Sequence, residues 1–145
     1  MADTKHAITL HATCVCVQDR GILILGASGS GKSSLALQLM ALGARLVSDD
    51  RTILTPADAA VIATAPAPIA GLIEARGVGL IKVDAASSAK VALVVDLDQA
   101  ETERLPQDHR HEVCGRDFPC LHHAPSPHFA AAILHYVAGG IGLRT

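Results

Sequence analysis

Gly26-Ala27-Ser28-Gly29-Ser30-Gly31-Lys32-Ser33 reads G-x-x-x-x-G-K-S, the pattern of a phosphate-cradling loop set between a strand and a helix. The flanks suit that setting. Ile22-Leu23-Ile24-Leu25 is a short apolar run fit for a buried strand, and Ser34-Leu35-Ala36-Leu37-Gln38-Leu39-Met40-Ala41-Leu42 fits a helix. The glycines let the backbone turn its N–H groups toward anionic oxygens, and the helix N-terminus adds partial positive charge. Lys32 is placed to reach terminal phosphates and Ser33 to offer a hydroxyl to Mg²⁺. The candidate phosphate-binding residues are Gly26, Ala27, Ser28, Gly29, Ser30, Gly31, Lys32, Ser33 and Ser34. A plain Gly/Ser turn is the bland alternative, and the Lys-Ser pair after the last glycine argues against it.

Upstream of the loop, residues 8–17 carry β-branched and apolar side chains, and Gln18-Asp19-Arg20-Gly21 is a turn signal. The two runs read as a hairpin that feeds the loop, with His11 on its first strand. Downstream, the helix should end at Gly43, a natural C′ residue. Leu35, Leu39 and Leu42 form its core stripe, broadened by Leu37 and Met40. Ala44-Arg45-Leu46-Val47-Ser48 then reads as a strand ending in Asp49-Asp50. Two acids there lie where Mg²⁺ and a transferred phosphoryl group would sit, although a polar turn explains them equally well.

Thr52-Ile53-Leu54-Thr55 is a further strand stopping at Pro56, with residues 61–65 as its hairpin partner. Residues 70–83 place Glu74 and Arg76 in an apolar, glycine-punctuated frame. On a strand the two would share a face, either as a surface ion pair or as a site pair. Residues 84–89 form a small polar loop. Residues 90–98 are an apolar strand ending in acids, and Asp96 is the Mg²⁺ ligand that a generic motif reading would choose. Residues 109–127 lack periodicity and read as connector. Residues 128–138 form a second helix, closed by Gly139-Gly140.

Composition narrows the class. The chain has 145 residues, half of them hydrophobic, so one domain with a sizeable core is expected over residues 1–145. Phe118, Phe129 and Tyr136 are the whole aromatic inventory, and the net charge is −2. Neither suits a nucleic-acid or anionic-membrane surface. With no leader-like or membrane-spanning run, a soluble cytoplasmic protein is expected. Cys14, Cys16, Cys114 and Cys120 match no C-x₂-C framework. They read as small buried apolar residues, with His109, His111, His122 and His123 as loop residues. A zinc site built from the second Cys pair and these histidines is the alternative.

Taken together, His11-Ala12-Thr13, the 26–33 loop, Leu46-Val47-Ser48-Asp49-Asp50 and Glu74-Ala75-Arg76-Gly77-Val78-Gly79-Leu80-Ile81-Lys82-Val83 resemble the catalytic domain of HPr kinase/phosphorylase, whose signature runs E-x-R-G-x-G-x-[IL]-x-V. The resemblance covers residues 11–98. It implies an α/β fold: a P-loop kinase-like, PEP carboxykinase-like core with a mixed central sheet, flanking hairpins and few helices. It implies an ATP- and Mg²⁺-dependent serine kinase, and also a phosphorylase, acting on the phosphocarrier protein HPr or an HPr paralogue of a phosphotransferase system. Residue by residue it implies Asp49 as acid/base, assisted by His11, with Arg76 stabilising charge on the phosphoryl group. Ser33, Asp50 and Glu74 become the metal-associated groups; exchanging the roles of Asp49 and Asp50 is the alternative. Asp96 is demoted to a strand-end residue. Family members are commonly hexamers.

Longer members of the family carry an additional N-terminal domain, whereas this sequence opens almost at the catalytic domain, and the family's long substrate-engaging loop is expected to be reduced to residues 84–89. Its basic P-x-R-N-like segment is replaced by Ala124-Pro125-Ser126-Pro127-His128-Phe129, which leaves the kinase direction better supported than the phosphorylase direction. Two readings of other kinds compete: a P-loop kinase for a small molecule, and a non-catalytic nucleotide-sensing module.

Overall fold

A computed structural model describes residues 6–139. Eleven strands and two α-helices follow one another as β1 Ile8–Leu10, β2 Ala12–Val17, β3 Arg20–Leu25, α1 Lys32–Ala41, β4 Arg45–Ser48, β5 Thr52–Ala57, β6 Ala60–Thr64, β7 Leu72–Ala75, β8 Gly79–Lys82, β9 Ala89–Ala100, β10 His109–Val113, β11 Arg116–His123 and α2 Phe129–Gly139. The expected α/β class, with a mixed sheet and few helices, is the class observed.

Nine strands form one sheet, in the order β1-β5-β6-β9-β3-β2-β4, with β11 also pairing β9 and β10 pairing β11. The central strand β9 runs parallel to β3 along one edge. Its other edge is shared by β6 at its start and β11 at its end. Strand alternation sorts the apolar residues onto two faces. Val15, Ile22, Ile24, Leu93 and Val95 pack against Leu35 and Leu39 of α1 and Ile133 of α2. Cys14, Cys16, Leu23 and Val94 face the other way, where the curled sheet closes over them with Leu54, Val61 and Val113. Cys14, Cys16 and Cys120 are therefore buried core residues. Burial pushes the Cys14 thiol far up and that of Cys120 up to about 11.

Helix α1 ends as its sequence dictates. Gly43 has φ 115°, its N–H donates to Met40 O, and the Ala44 N–H donates to Leu39 O, the paired bonds of a Schellman closure. Leu42, expected in the core stripe, is instead 55% exposed. It is the C-cap residue, where the backbone has left helical dihedrals. In α2, Ala130, Ile133 and Val137 face the core, and the Arg20 guanidinium donates to the terminal carbonyls of Val137 and Ala138.

Four further expectations are corrected. The strand expected over residues 8–17 is broken at His11, because β1 pairs with β5 while β2 pairs with β3. β5 continues through Pro56 to Ala57; β1 reaches only Leu54, so Pro56 lies on an open edge where a missing N–H is tolerated. Arg76 is not on a strand: Arg76-Gly77-Val78 is the turn between β7 and β8, a separate two-stranded sheet. Residues 109–123 are not a connector but the β10–β11 hairpin. Its side chains are histidines, arginines and acids on a half-exposed sheet end, which hides the strand period.

Candidate active site

The phosphate loop joins the C-terminal end of β3 to the N-terminus of α1, as the motif requires. Gly26, Gly29 and Gly31 all have positive φ. At Gly26 the space is also closed: a Cβ there would collide with the Ser30 hydroxyl. The loop is braced by the Ser30 N–H on Ala27 O at 3.0 Å. Lys32 is buried, and its ammonium donates to the carbonyls of Gly26 at 2.8 Å and Ala27 at 3.1 Å. It is thus held at the loop by two backbone carbonyls.

The second half of the site comes from β4 and β2. Asp49, just past the end of β4, is 6% exposed, and both its oxygens are engaged. Oδ1 accepts from Ser33 Oγ at 2.7 Å and Thr13 Oγ1 at 3.0 Å, and Oδ2 accepts the Glu74 N–H at 3.0 Å. Asp49 therefore ties the loop helix, β2 and β7 together. Asp50 differs. It adopts φ 70°, its N–H donates to Thr13 Oγ1 at 3.1 Å, and its side chain turns outward at 58% exposed. Its Oδ1 stands 2.9 Å from His11 Nε2. The break between β1 and β2 is what frees His11 to reach it.

These groups surround one cavity of about 250 Å³. Its walls are Ser28, Gly29, Gly31, Lys32, Ser33, Ser34 and Leu37 from the loop and its helix, and His11, Asp50, Glu74 and Arg76 opposite. Gly26, Ala27 and Ser30 form the loop's base rather than the wall. Asp49 lies beneath the cavity. Asp96 is not among the lining residues; it sits on β9 opposite Leu25 and accepts the Asp98 N–H at 3.0 Å.

Chemically, two cationic side chains, Lys32 and Arg76, share the cavity with two carboxylates, Asp50 and Glu74. Ser33 Oγ and the Asp49 carboxylate add further oxygen donors below. Such an all-oxygen set fits Mg²⁺, and the loop with its two cations fits a polyphosphate.

Two participants escaped the sequence reading. Thr13 contacts both acids and is fully buried; it stood in the His11-Ala12-Thr13 motif without a role, and its signal is a lone hydroxyl among apolar neighbours two residues after His11. Asp98 accepts the Ala27 N–H on both oxygens at 3.0 Å. It follows Asp96 within β9, which runs on to Ala100 rather than ending in acids at residue 98 as expected, and nothing in its spacing marked it.

Residues 3–119 match the family model described as HPr Serine kinase C-terminal domain. An HPr kinase/phosphorylase of Listeria monocytogenes is 37% identical over 105 residues, covering 67% of this chain and 34% of the relative. One of Clostridium botulinum is 43% identical over 74 residues, covering 51% of this chain and 24% of the relative. The chain thus spans about a third of the length of the curated relatives it matches. Among solved structures, the Hpr(Ser) kinase/phosphatase from Coxiella burnetii aligns with a TM-score of 0.75 at 25% identity, covering 90% of this chain and 94% of that one.

Proposed function

The chain belongs to the HPr serine kinase C-terminal domain family, and on that premise we propose that it transfers a phosphoryl group from ATP to a serine of an HPr-like phosphocarrier protein. The observation that carries this reading is the junction of loop and acids. Ser33 is bonded to Asp49 at 2.7 Å, while Asp50 and His11 stand together at the cavity mouth.

The environments of the two acids favour exchanging the roles first assigned to them. Asp49 is buried with three donors on its oxygens, as suits a group that helps hold a cation beside Ser33. Asp50 is exposed at the cavity wall, with an imidazole against it, as suits a group that meets an incoming hydroxyl. In this reading Asp50, positioned by His11, accepts the serine proton as the serine oxygen attacks the terminal phosphorus. Lys32 and Arg76 offset charge on the transferred oxygens. Ser33, Asp49 and Glu74 would hold the cation, and Mg²⁺ bound there would supply positive charge that offsets the charge of the phosphate oxygens. In the phosphorylase direction Asp50 would return the proton to the departing serine oxygen.

A protein substrate is favoured over a small molecule by the rim of the site. Val78 and Leu80, on the turn and strand after Arg76, are 77% and 66% exposed, which suits a protein surface laid over the cavity. The partner would be cytoplasmic, as phosphocarrier proteins of this kind are in the proposed setting. No described helix is long and apolar enough to cross a membrane. The test is to incubate the protein with Mg²⁺, ATP and candidate HPr-like proteins and locate phosphate by mass spectrometry. One phosphoserine is expected. ATP turnover with no protein phosphorylated, and with a metabolite phosphorylated instead, would overturn the reading.

A further inference from the structure

The far end of the sheet holds a group of ligating side chains that the phosphate site does not use. Glu101 directly follows β9, His109 opens β10 and His122 lies near the end of β11. The hairpin register pairs His109 with Cys120, so His122, two residues on, projects from the same face. β11 also runs beside β9, where the register slips: His122 is opposite Asp96 but His123 is opposite Ala100. The slip draws the end of β9 up to the histidines, and the Glu101 N–H donates to His123 O at 2.8 Å.

The result is compact. One ligand atom from each of Glu101, His109 and His122 lies within 4.8 Å of the others. Glu101 Oε1 is 3.0 Å from His109 Nε2. The two imidazoles are stacked with centroids 3.8 Å apart and planes 12° apart. The carboxylate is fixed before any ligand arrives, because Oε2 accepts the N–H groups of Thr102 and Glu103, both at 3.0 Å. Its side chain is only 9% exposed. His122, by contrast, has no hydrogen bond to its ring among the described residues. A nitrogen lone pair or N–H is thus left facing a held carboxylate and a second imidazole.

We propose that Glu101, His109 and His122 form a binding site for a divalent transition-metal ion of the Zn²⁺ class, separate from the phosphate site. Two imidazoles and one carboxylate make a three-ligand zinc set with positions left for water. Imidazole donors prefer Zn²⁺, Co²⁺ or Ni²⁺ over Mg²⁺, whereas the groups assigned to the cation of the phosphate site, Ser33, Asp49 and Glu74, offer only oxygens. The chain therefore sorts two kinds of cation by donor type. Tetrahedral bonds of about 2.0–2.1 Å put donors roughly 3.3 Å apart. The ligand atoms, within 4.8 Å of one another, must draw in toward that spacing, and the two stacked rings must rotate out of parallel so that both lone pairs meet one ion. Cys114 and Cys120 do not belong to it: the Cys120 thiol turns to Leu121 O, and that of Cys114 to Leu54 O. Bound metal would pin the end of β9 to the β10–β11 hairpin. That end carries Asp98, which holds the Ala27 N–H of the phosphate loop, so loading would stiffen the loop's outer support.

The test uses metal-free full-length protein titrated with Zn²⁺ and with Co²⁺, in millimolar Mg²⁺ to fill the phosphate site. Wild type should bind one equivalent of Zn²⁺ and gain thermal stability, and the Co²⁺ form should absorb in the visible. His122→Ala and Glu101→Gln should each weaken Zn²⁺ binding at least about tenfold and lose the thermal gain, while still binding Mg²⁺·ATP, which reports that they are folded. X-ray absorption at the zinc edge of the wild type, which needs no variant, should show only nitrogen and oxygen neighbours near about 2.0 Å. No Zn²⁺ binding in Mg²⁺, wild-type affinity in both variants, or a sulfur neighbour near about 2.3 Å would overturn the proposal. The cluster would then be a hydrogen-bonded Glu–His pair with a stacked ring.

Discussion

His11 Nε2 and Asp50 Oδ1 stand 2.9 Å apart at the mouth of the phosphate cavity. The contact joins the break between β1 and β2 to the end of β4. It fixes the orientation of a carboxylate that is otherwise half in solvent and held in a left-handed backbone conformation. If His11 positions Asp50 for proton transfer, His11→Ala should lower the turnover of serine phosphorylation by on the order of 10²-fold, with little change in the KM for ATP. Steady-state kinetics with both substrates varied will show it. A rise in the KM for ATP at unchanged kcat would mean that His11 serves binding instead.

Thr13 couples the two acids, donating to Asp49 and accepting from the Asp50 N–H. Thr13→Val keeps the shape but leaves a buried carboxylate and an N–H short of a partner. Urea unfolding should report a loss of about 1–3 kcal/mol, and phosphotransfer should fall with it. Thr13→Ser restores the hydroxyl and should recover most of both. Wild-type stability in the valine variant would show that the bridge is dispensable.

The loop glycines are not equivalent. At Gly26 a Cβ meets Ser30 and Leu97, while at Gly29 nothing lies within 4 Å. Gly26→Ala should therefore abolish nucleotide binding, measured with a fluorescent ATP analogue. Gly29→Ala carries only the backbone cost of its positive φ, about 1–2 kcal/mol, and should bind about tenfold more weakly. Equal effects would mean that backbone strain alone governs the loop.

The buried thiols set an alkaline limit. Burial raises the Cys14, Cys16 and Cys120 thiols above their ordinary value of 9.0. A raised folded value means that the stabilisation is complete below pH 9.0 and is lost as pH climbs past it, by up to about 1.4 kcal/mol per pH unit for a fully buried thiol. Unfolding free energy measured from pH 8 to pH 11 should fall, and Cys14→Ala should flatten the slope. A thiol reagent at pH 8 should reach Cys14 only as fast as the protein unfolds. Rapid labelling of Cys14 in native protein would contradict the buried assignment.

Much of this was legible in the sequence because it is local. The loop motif, the Gly43 helix stop and the alternation of Ile22, Leu23 and Ile24 each specify their geometry over a few residues. The acid pair and Glu74-Ala75-Arg76 were found by family pattern, and the fold brings their cavity-facing members together. What escaped was set by long-range pairing. The break at His11 arises because β1 finds β5, some forty residues downstream, and no local signal encodes that choice. The β10–β11 hairpin was hidden because its half-exposed histidines and charges carry no hydrophobic period. The relative exposure of Asp49 and Asp50 turns on Thr13, Ser33 and the Glu74 N–H, three groups from three separate elements.

On the proposed mechanism the acids that follow β4, not those on β9, carry the chemistry. Single-turnover phosphoryl transfer to an HPr-like protein, compared for Asp50→Asn and Asp96→Asn, tests it most directly. The expected result is a loss of about 10²–10⁴-fold for Asp50→Asn and a rate within about threefold of wild type for Asp96→Asn. A near-normal Asp50→Asn with an inactive Asp96→Asn would contradict it.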